Sequence, residues 1–207
     1  MKESSASALK EWAVVDEALA TGRVSLLVRK GGIHERAGDF DVEHGEFWIF
    51  PSGWHQNPED LAGELHPLLN AIGPQPRGTI PFRTYCVVDG VHRIESPEVL
   101  DRIQGLHPLS PPAAHYRFNY RNRPYVHALL VRAYRLAEPV ALPDVHRYEG
   151  CVSWVQLDQP IPTAGLRPVL TDEEFAAVRA DIMDRLTGNP SSGDRGVSSP
   201  STGNLSS

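Results

Sequence analysis

Residues 125–136 read YVHALLVRAYRL, the strongest strand pattern in the chain. Its outer part alternates, with Leu129, Val131 and Ala133 on the side opposite to Arg132 and Tyr134. Four further stretches share that character. They are CVSWVQL at 151–157, RTYCVVDGVHRI at 83–94, FDVEHGEFWIF at 40–50 and RVSLLVR at 23–29. Pro51 is expected to end the third of these, and Gly45 to mark a bulge or turn inside it. Gly31-Gly32 should stop the last.

Helical spacing predicts four helices around these strands. In residues 6–21, Leu9, Trp12, Val15 and Leu19 recur every three or four positions before Gly22. Asn57-Pro58-Glu59-Asp60 reads as a capped start for a helix carrying Leu61, Leu65 and Leu68. Ser96-Pro97-Glu98 opens a short helix, and Thr171 with Glu174 forms a capping box for one over 172–186. Strands and helices do not alternate regularly. The expectation is one α+β domain over residues 6–187, with a curved mixed or antiparallel sheet or a small barrel and three or four helices. Residues 188–207 hold seven serines, four glycines and two prolines, a composition expected to be disordered.

The chain has 207 residues, 41 % of them hydrophobic, and a net charge of −6. No apolar run approaches the roughly 18 residues of a membrane helix, and the N-terminus lacks the apolar core of a secretory signal. Two cysteines, Cys86 and Cys151, are too few for a disulfide framework, and a cytoplasmic location is expected. The charge is unevenly distributed. From Arg102 to Ala137, 36 residues contain six arginines and no acid, so the rest of the chain sums to −12. Such segregation focuses a positive field on one region.

Within that region, HYRFNYRNRPY at 115–125 packs four aromatics and three arginines into eleven residues. Nucleic-acid grooves need cations for phosphates and flat rings for bases. Arg117, Arg121, Arg123 and Arg132 are the phosphate candidates, and Tyr116, Phe118 and Tyr120 the stacking candidates. Asn119 and Asn122 have the chemistry to read base edges. The plainer alternative is a half-buried strand or turn whose arginines pair with the chain's own acids. A second constellation is His44 and Glu46 on one strand face, with His55 just beyond Pro51. It has the makings of a metal set or an acid–base pair, or equally of a polar strand edge. A third, Arg29-Lys30-Gly31-Gly32, is either an anion-binding nest or an ordinary strand end. Cys151 reads as a buried structural thiol. No P-loop, nucleophile elbow, dinucleotide fingerprint, zincin or deaminase signature is present.

Five blocks in order, LKEWAVVDEAL (9–19), LLVRKGGIHE (26–35), FDVEHGEFWIFPSGWHQ (40–56), LLVRAYRL (129–136) and YEGCVSWVQL (148–157), resemble domain-of-unknown-function family 1802 of bacteria. The resemblance spans about residues 8–160, with Pro51-Ser52 where the family pattern has Pro-Thr. Some members resemble fusions to Mrr-type restriction endonuclease domains, which implies by association a role near restriction-modification. None of the three lysines follows an acid at the spacing of the Mrr-type nuclease motif. The resulting expectation is a non-catalytic module that binds DNA or RNA, without cofactor or metal, beside a nuclease or another protein partner. A hydrolase acting through His44, Glu46 and His55, and a protein-interaction scaffold, are the alternatives.

Overall fold

The computed structural model describes residues 1–30, 33–36, 39–42, 44–53, 56–74, 76–150 and 152–188, with the backbone alone for 33–36 and 39–42. Strand β1 (Ser4–Trp12) runs directly into helix α1 (Ala13–Ala20). There follow β2 (Leu26–Arg29), a hairpin of β3 (Ile33–Arg36) and β4 (Asp39–Val42), β5 (Glu46–Ser52), α2 (His66–Ala71), β6 (Thr79–Ile94), α3 (Pro97–Arg102) and α4 (Pro111–Asn119). The chain continues through β7 (Val126–Pro143), β8 (Trp154–Pro162), β9 (Arg167–Pro168) and α5 (Asp172–Thr187). Seven strands form one sheet in the order β2-β7-β6-β5-β1-β8, with β9 bonded to β7. β1 and β5 are parallel and all other neighbours in this sheet antiparallel. The fold is therefore α+β with a mixed sheet, as the strand and helix pattern predicts. Among the described residues the sheet is an open path and does not close into a barrel.

The backbone of the fold is the long β6–β7 ribbon. Two register shifts, between Phe82 and Thr84 and between Val88 and Gly90, bend it. Strand alternation then places β7 residues on two cores. Leu129, Val131 and Ala133 pack with α1, Phe47 and Ile49. Val126, Ala128 and Leu130 pack with residues of α3, α4 and α5, among them Leu100, Phe118 and Ile182. A third cluster around Trp48, Phe82, Tyr85 and Val155 covers the far part of the ribbon.

Several local expectations change. Residues 6–21 are not one helix: β1 occupies the first half. A Leu9–Trp12 spacing of three shares one face of a helix but lies on opposite faces of a strand, and β1 tolerates it because both its faces are covered, Leu9 in one core and Ala8 in another. Pairing decides for the strand, because β1 is bonded to β5 on one edge and β8 on the other. Pro51 does not end its strand. At that position β5 pairs with β1 alone, since its ladder to β6 covers only Glu46 to Trp48. A missing N–H is tolerated on such an edge. The helix expected from Pro58 is instead two 3-10 turns, Pro58–Asp60 and Gly63–Leu65, followed by α2 with Pro67 in its first turn. Asn57 does cap, accepting from the Glu59 N–H at 3.3 Å. Segment 111–119 is helical, not a strand.

The capping box on α5 is present in both directions, and Gly188 closes that helix in the left-handed region at φ 76°. Residues 189–207, the bulk of the tail, lie outside the described residues. Truncation after Gly188 keeps this cap, and from the Ser/Gly/Pro-rich composition beyond it the melting temperature is expected to stay within about 1 °C of that of the full chain. A calorimetric drop of several degrees would show that the tail is part of the fold. Among the described residues, no helix is long and apolar enough to cross a membrane.

Candidate nucleic-acid interface

Helix α4 begins where Ser110 Oγ accepts from the Ala113 N–H at 3.4 Å and donates to the Glu59 carbonyl at 2.7 Å. Pro111 and Pro112 occupy its first turn, where their missing N–H groups cost least. Ala113, Ala114 and Phe118 form its buried face and lock it onto the second core. The opposite face carries Tyr116 and Tyr120, four residues apart and therefore neighbours on the surface. Tyr116 is 70 % exposed and Tyr120 41 %, and they are the exposed aromatic residues among those described. Their ring centroids lie 6.1 Å apart at an interplanar angle of 60°. Pro112, His115, Asn119 and Arg121 complete a shallow, wide-open depression around them.

After α4 the chain turns through Arg121 (φ 57°) and Asn122 (φ 54°), both left-handed without being glycine. Each such residue costs about 1–2 kcal/mol, so neighbouring contacts must hold the turn. Lys30 supplies them. Its Nζ donates to the carbonyls of Phe118 at 3.0 Å and Tyr125 at 2.6 Å, and also to that of Arg123. The ammonium also sits 4.0 Å from the Tyr125 ring centroid, with the Arg93 guanidinium 4.3 Å from the same centroid. Backbone bonds from the Tyr125 N–H to the Phe118 and Arg123 carbonyls close the turn. Burial, with the charges of Arg123 and Arg93, pushes the Lys30 pKa below its ordinary value. Lys30 is thus a clamp across the turn.

The structure divides the predicted phosphate and stacking residues into two groups. Arg121 and Arg123 are exposed, and no carboxylate among the described residues pairs with either. The Arg121 guanidinium lies 5.3 Å from the Tyr120 ring centroid. Arg117, by contrast, turns inward. Its Nη1 donates to the Val28 carbonyl at 3.0 Å, on the open edge of β2, and its guanidinium lies over Trp12 at 5.7 Å. Burial and the charge of Arg29 lower its pKa against the opposing pull of Glu11 and Asp60. Phe118 is buried in the core. Arg132 pairs with Asp172 and lies over the Phe175 ring at 5.4 Å, tying β7 to α5. The surface set is therefore Tyr116, Tyr120, Arg121 and Arg123. Asn119 spends its Nδ2 on the His115 carbonyl at 3.1 Å.

Arg29, the other cation of the proposed anion nest, pairs with Glu11 and donates to the Lys10 carbonyl at 3.2 Å, both side chains about nine-tenths buried. Gly31 and Gly32 lie outside the described residues. So does His55, the third member of the metal or acid–base set. His44 packs edge-on against Trp154 at 5.1 Å. Glu46 accepts from the Lys2 N–H at 3.1 Å. Both stand at the start of β5. Gln56 lies beyond its other end, where its Oε1 accepts from the Val14 N–H at 3.0 Å. Strand geometry separates the two ends of β5 by about 20 Å. Among the described residues no cluster of three His, Cys, Asp or Glu is arranged to hold a metal. Burial raises the Cys86 thiol pKa well above its ordinary value; Cys151 lies outside the described residues.

The sequence profile of a domain of unknown function, DUF1802, matches residues 8–181. The chain belongs to the DUF1802 family. No curated protein matches it. Among solved structures, this DUF1802 chain has a distant resemblance to an ASCH protein from Zymomonas mobilis. The identity is 12 % over 84 % of this chain and 93 % of that one, with a TM-score of 0.41. Two single-substitution variants of the same ASCH protein give TM-scores of 0.41 and 0.39, at 11 % and 12 % identity. They cover 94 % and 96 % of those chains and 84 % of this DUF1802 chain.

Proposed function

We propose that this DUF1802 protein is a non-catalytic nucleic-acid-binding module whose contact surface is the exposed face of α4 and the turn that follows it. One observation carries the reading: two exposed tyrosines lie side by side, and Arg121 and Arg123 beside them have no acidic partner among the described residues. A flat ring beside an unpaired guanidinium is the combination on which unpaired bases stack and to which their phosphates bind. Arg121 and Arg123 supply the positive charge of that face, where His115 is paired with Asp101 at 2.7 Å, while the acidic remainder of the chain opposes indiscriminate binding. Any chemistry on the bound strand would come from a partner protein, such as a nuclease.

Fluorescence anisotropy with short labelled DNA and RNA at several salt concentrations tests the reading. Affinity is expected to fall as salt rises. Replacing both Arg121 and Arg123 by alanine is expected to weaken binding about tenfold or more at moderate salt. It should also reduce the slope of log K against log salt by about 1.4 to 1.8. Neither arginine supports the core, so the melting temperature should hold. An unchanged affinity and slope in the double variant would refute the assignment.

A further inference from the structure

We infer that the α4 surface takes unpaired bases, so that its ligand is a single strand and not a duplex; this rests on the nucleic-acid reading above and sharpens it. The ring geometry comes first. A base held between two rings needs near-parallel faces about 7 Å apart, two stacking layers of about 3.4 Å each. Tyr116 and Tyr120 are 6.1 Å apart and tilted by 60°, so they do not form such a slot. Each ring offers its own outer face. Arg121 covers one side of Tyr120 with its guanidinium, itself a flat surface on which a base can stack. The surface therefore presents two separate stacking places, one on Tyr116 and one on the Tyr120–Arg121 pair.

A duplex cannot use them, because its bases are already stacked on one another. Reading a duplex from its major groove needs polar side chains along a projecting helix, above all bidentate arginine or asparagine. Helix α4 provides no such row. Arg117 is turned into the fold, and the Nδ2 of Asn119 is committed to the carbonyl of its own helix. Phe118 on the inner side ties the helix to the core and prevents it from projecting. The shallow, wide-open depression suits splayed bases and does not enclose a mononucleotide. The footprint is two bases, with Arg123 and Arg121 reaching the phosphates beside them.

The test compares four probes of about eight nucleotides at about 150 mM salt: oligothymidylate, oligouridylate, a self-complementary duplex and an abasic strand. Both base-bearing strands are expected to bind about tenfold or more tightly than the duplex or the abasic strand. Tyr116→Ala and Tyr120→Ala should each weaken strand binding about five- to tenfold, leave the weak duplex and abasic binding unchanged, and keep the melting temperature. A duplex that binds as tightly as the strands, or an abasic strand that matches them, would overturn the inference while leaving the nucleic-acid reading intact. Absence of binding to all four probes even at low salt would overturn both.

Discussion

Replacing Lys30 by methionine is expected to destabilise the domain by about 2–3 kcal/mol and to weaken strand binding about tenfold, although Lys30 touches no ligand. Its ammonium ties together three backbone carbonyls from Phe118, Arg123 and Tyr125. Hydrogen bonds from a charged donor contribute about 1.5–3 kcal/mol each, reduced here because the group is partly open to water. Two of those carbonyls keep the Tyr125 N–H as a partner, so the loss falls mainly on the Tyr125 carbonyl and on the ring contact. The freed energy is enough to let Arg121 and Asn122 leave their left-handed conformations. Binding then requires the turn to re-form, and affinity falls by the fraction of molecules that hold it.

Two measurements separate this from general damage. Trypsin should cut after Arg121 much faster in Lys30→Met, whereas Arg123 precedes Pro124 and resists cleavage in both proteins. The melting temperature should fall by about 5–10 °C in a single cooperative transition. Lys30→Arg should rescue only partly, because a planar fork does not aim three donors from one atom. Equal cleavage rates and equal melting temperatures in wild type and Lys30→Met would remove the clamp from the account.

That clamp depends on contacts that no local pattern in the sequence encodes. Lys30 stands beside Gly31-Gly32, and a local pattern assigns such a lysine to an anion. Its acceptors lie 88 to 95 positions further along, and only the packing of β2 beside β7 and α4 brings them together. The same limit governs the aromatic–arginine segment. Its composition marked it, but which residues face water depends on helical phase. Once 111–119 is a helix held down by Ala114 and Phe118, Tyr116 must face out and Arg117 must lie along its flank. Elements fixed by contacts near in sequence were legible, such as the α5 capping box and the alternation in β7. β1 was not, because its strand character comes from β5 and β8, both more than thirty residues away.

Acidification is expected to expose a second buried device, His107. The residue is 1 % exposed, and its Nδ1 accepts from the Leu109 N–H at 3.2 Å, which places the proton of the neutral ring on Nε2. Nε2 has no hydrogen-bond partner among the described residues. Burial, reinforced by the charge of Arg117, lowers the pKa to about 4 from an ordinary value of 6.5. The unfolded chain therefore takes up the extra proton first. The associated stability is complete above pH 6.5 and is lost as pH falls toward 4, about 3 kcal/mol in all. The pKa of His127 is lowered to about 4 by burial and then by the charges of Arg93 and Lys30, and it acts with the same sign. Asp16 acts against them. Its burial raises the carboxyl pKa from 3.8 to about 6 despite the neighbouring Thr84 and Arg83, so the folded state gains a proton first and its stability grows as pH falls through 6.

The net result is loss of stability on the acid side, and two substitutions separate the terms. His107→Asn retains an acceptor for the Leu109 N–H but does not titrate. Relative to wild type, its melting temperature should rise by about 6–12 °C between pH 7 and pH 4. Asp16→Asn should move the other way, losing ground against wild type as pH drops over the same interval. Because each variant is compared with itself across pH, a constant packing penalty cancels. Melting curves for all three proteins that run parallel from pH 7 to 4 would mean that neither group titrates inside the fold as its surroundings require.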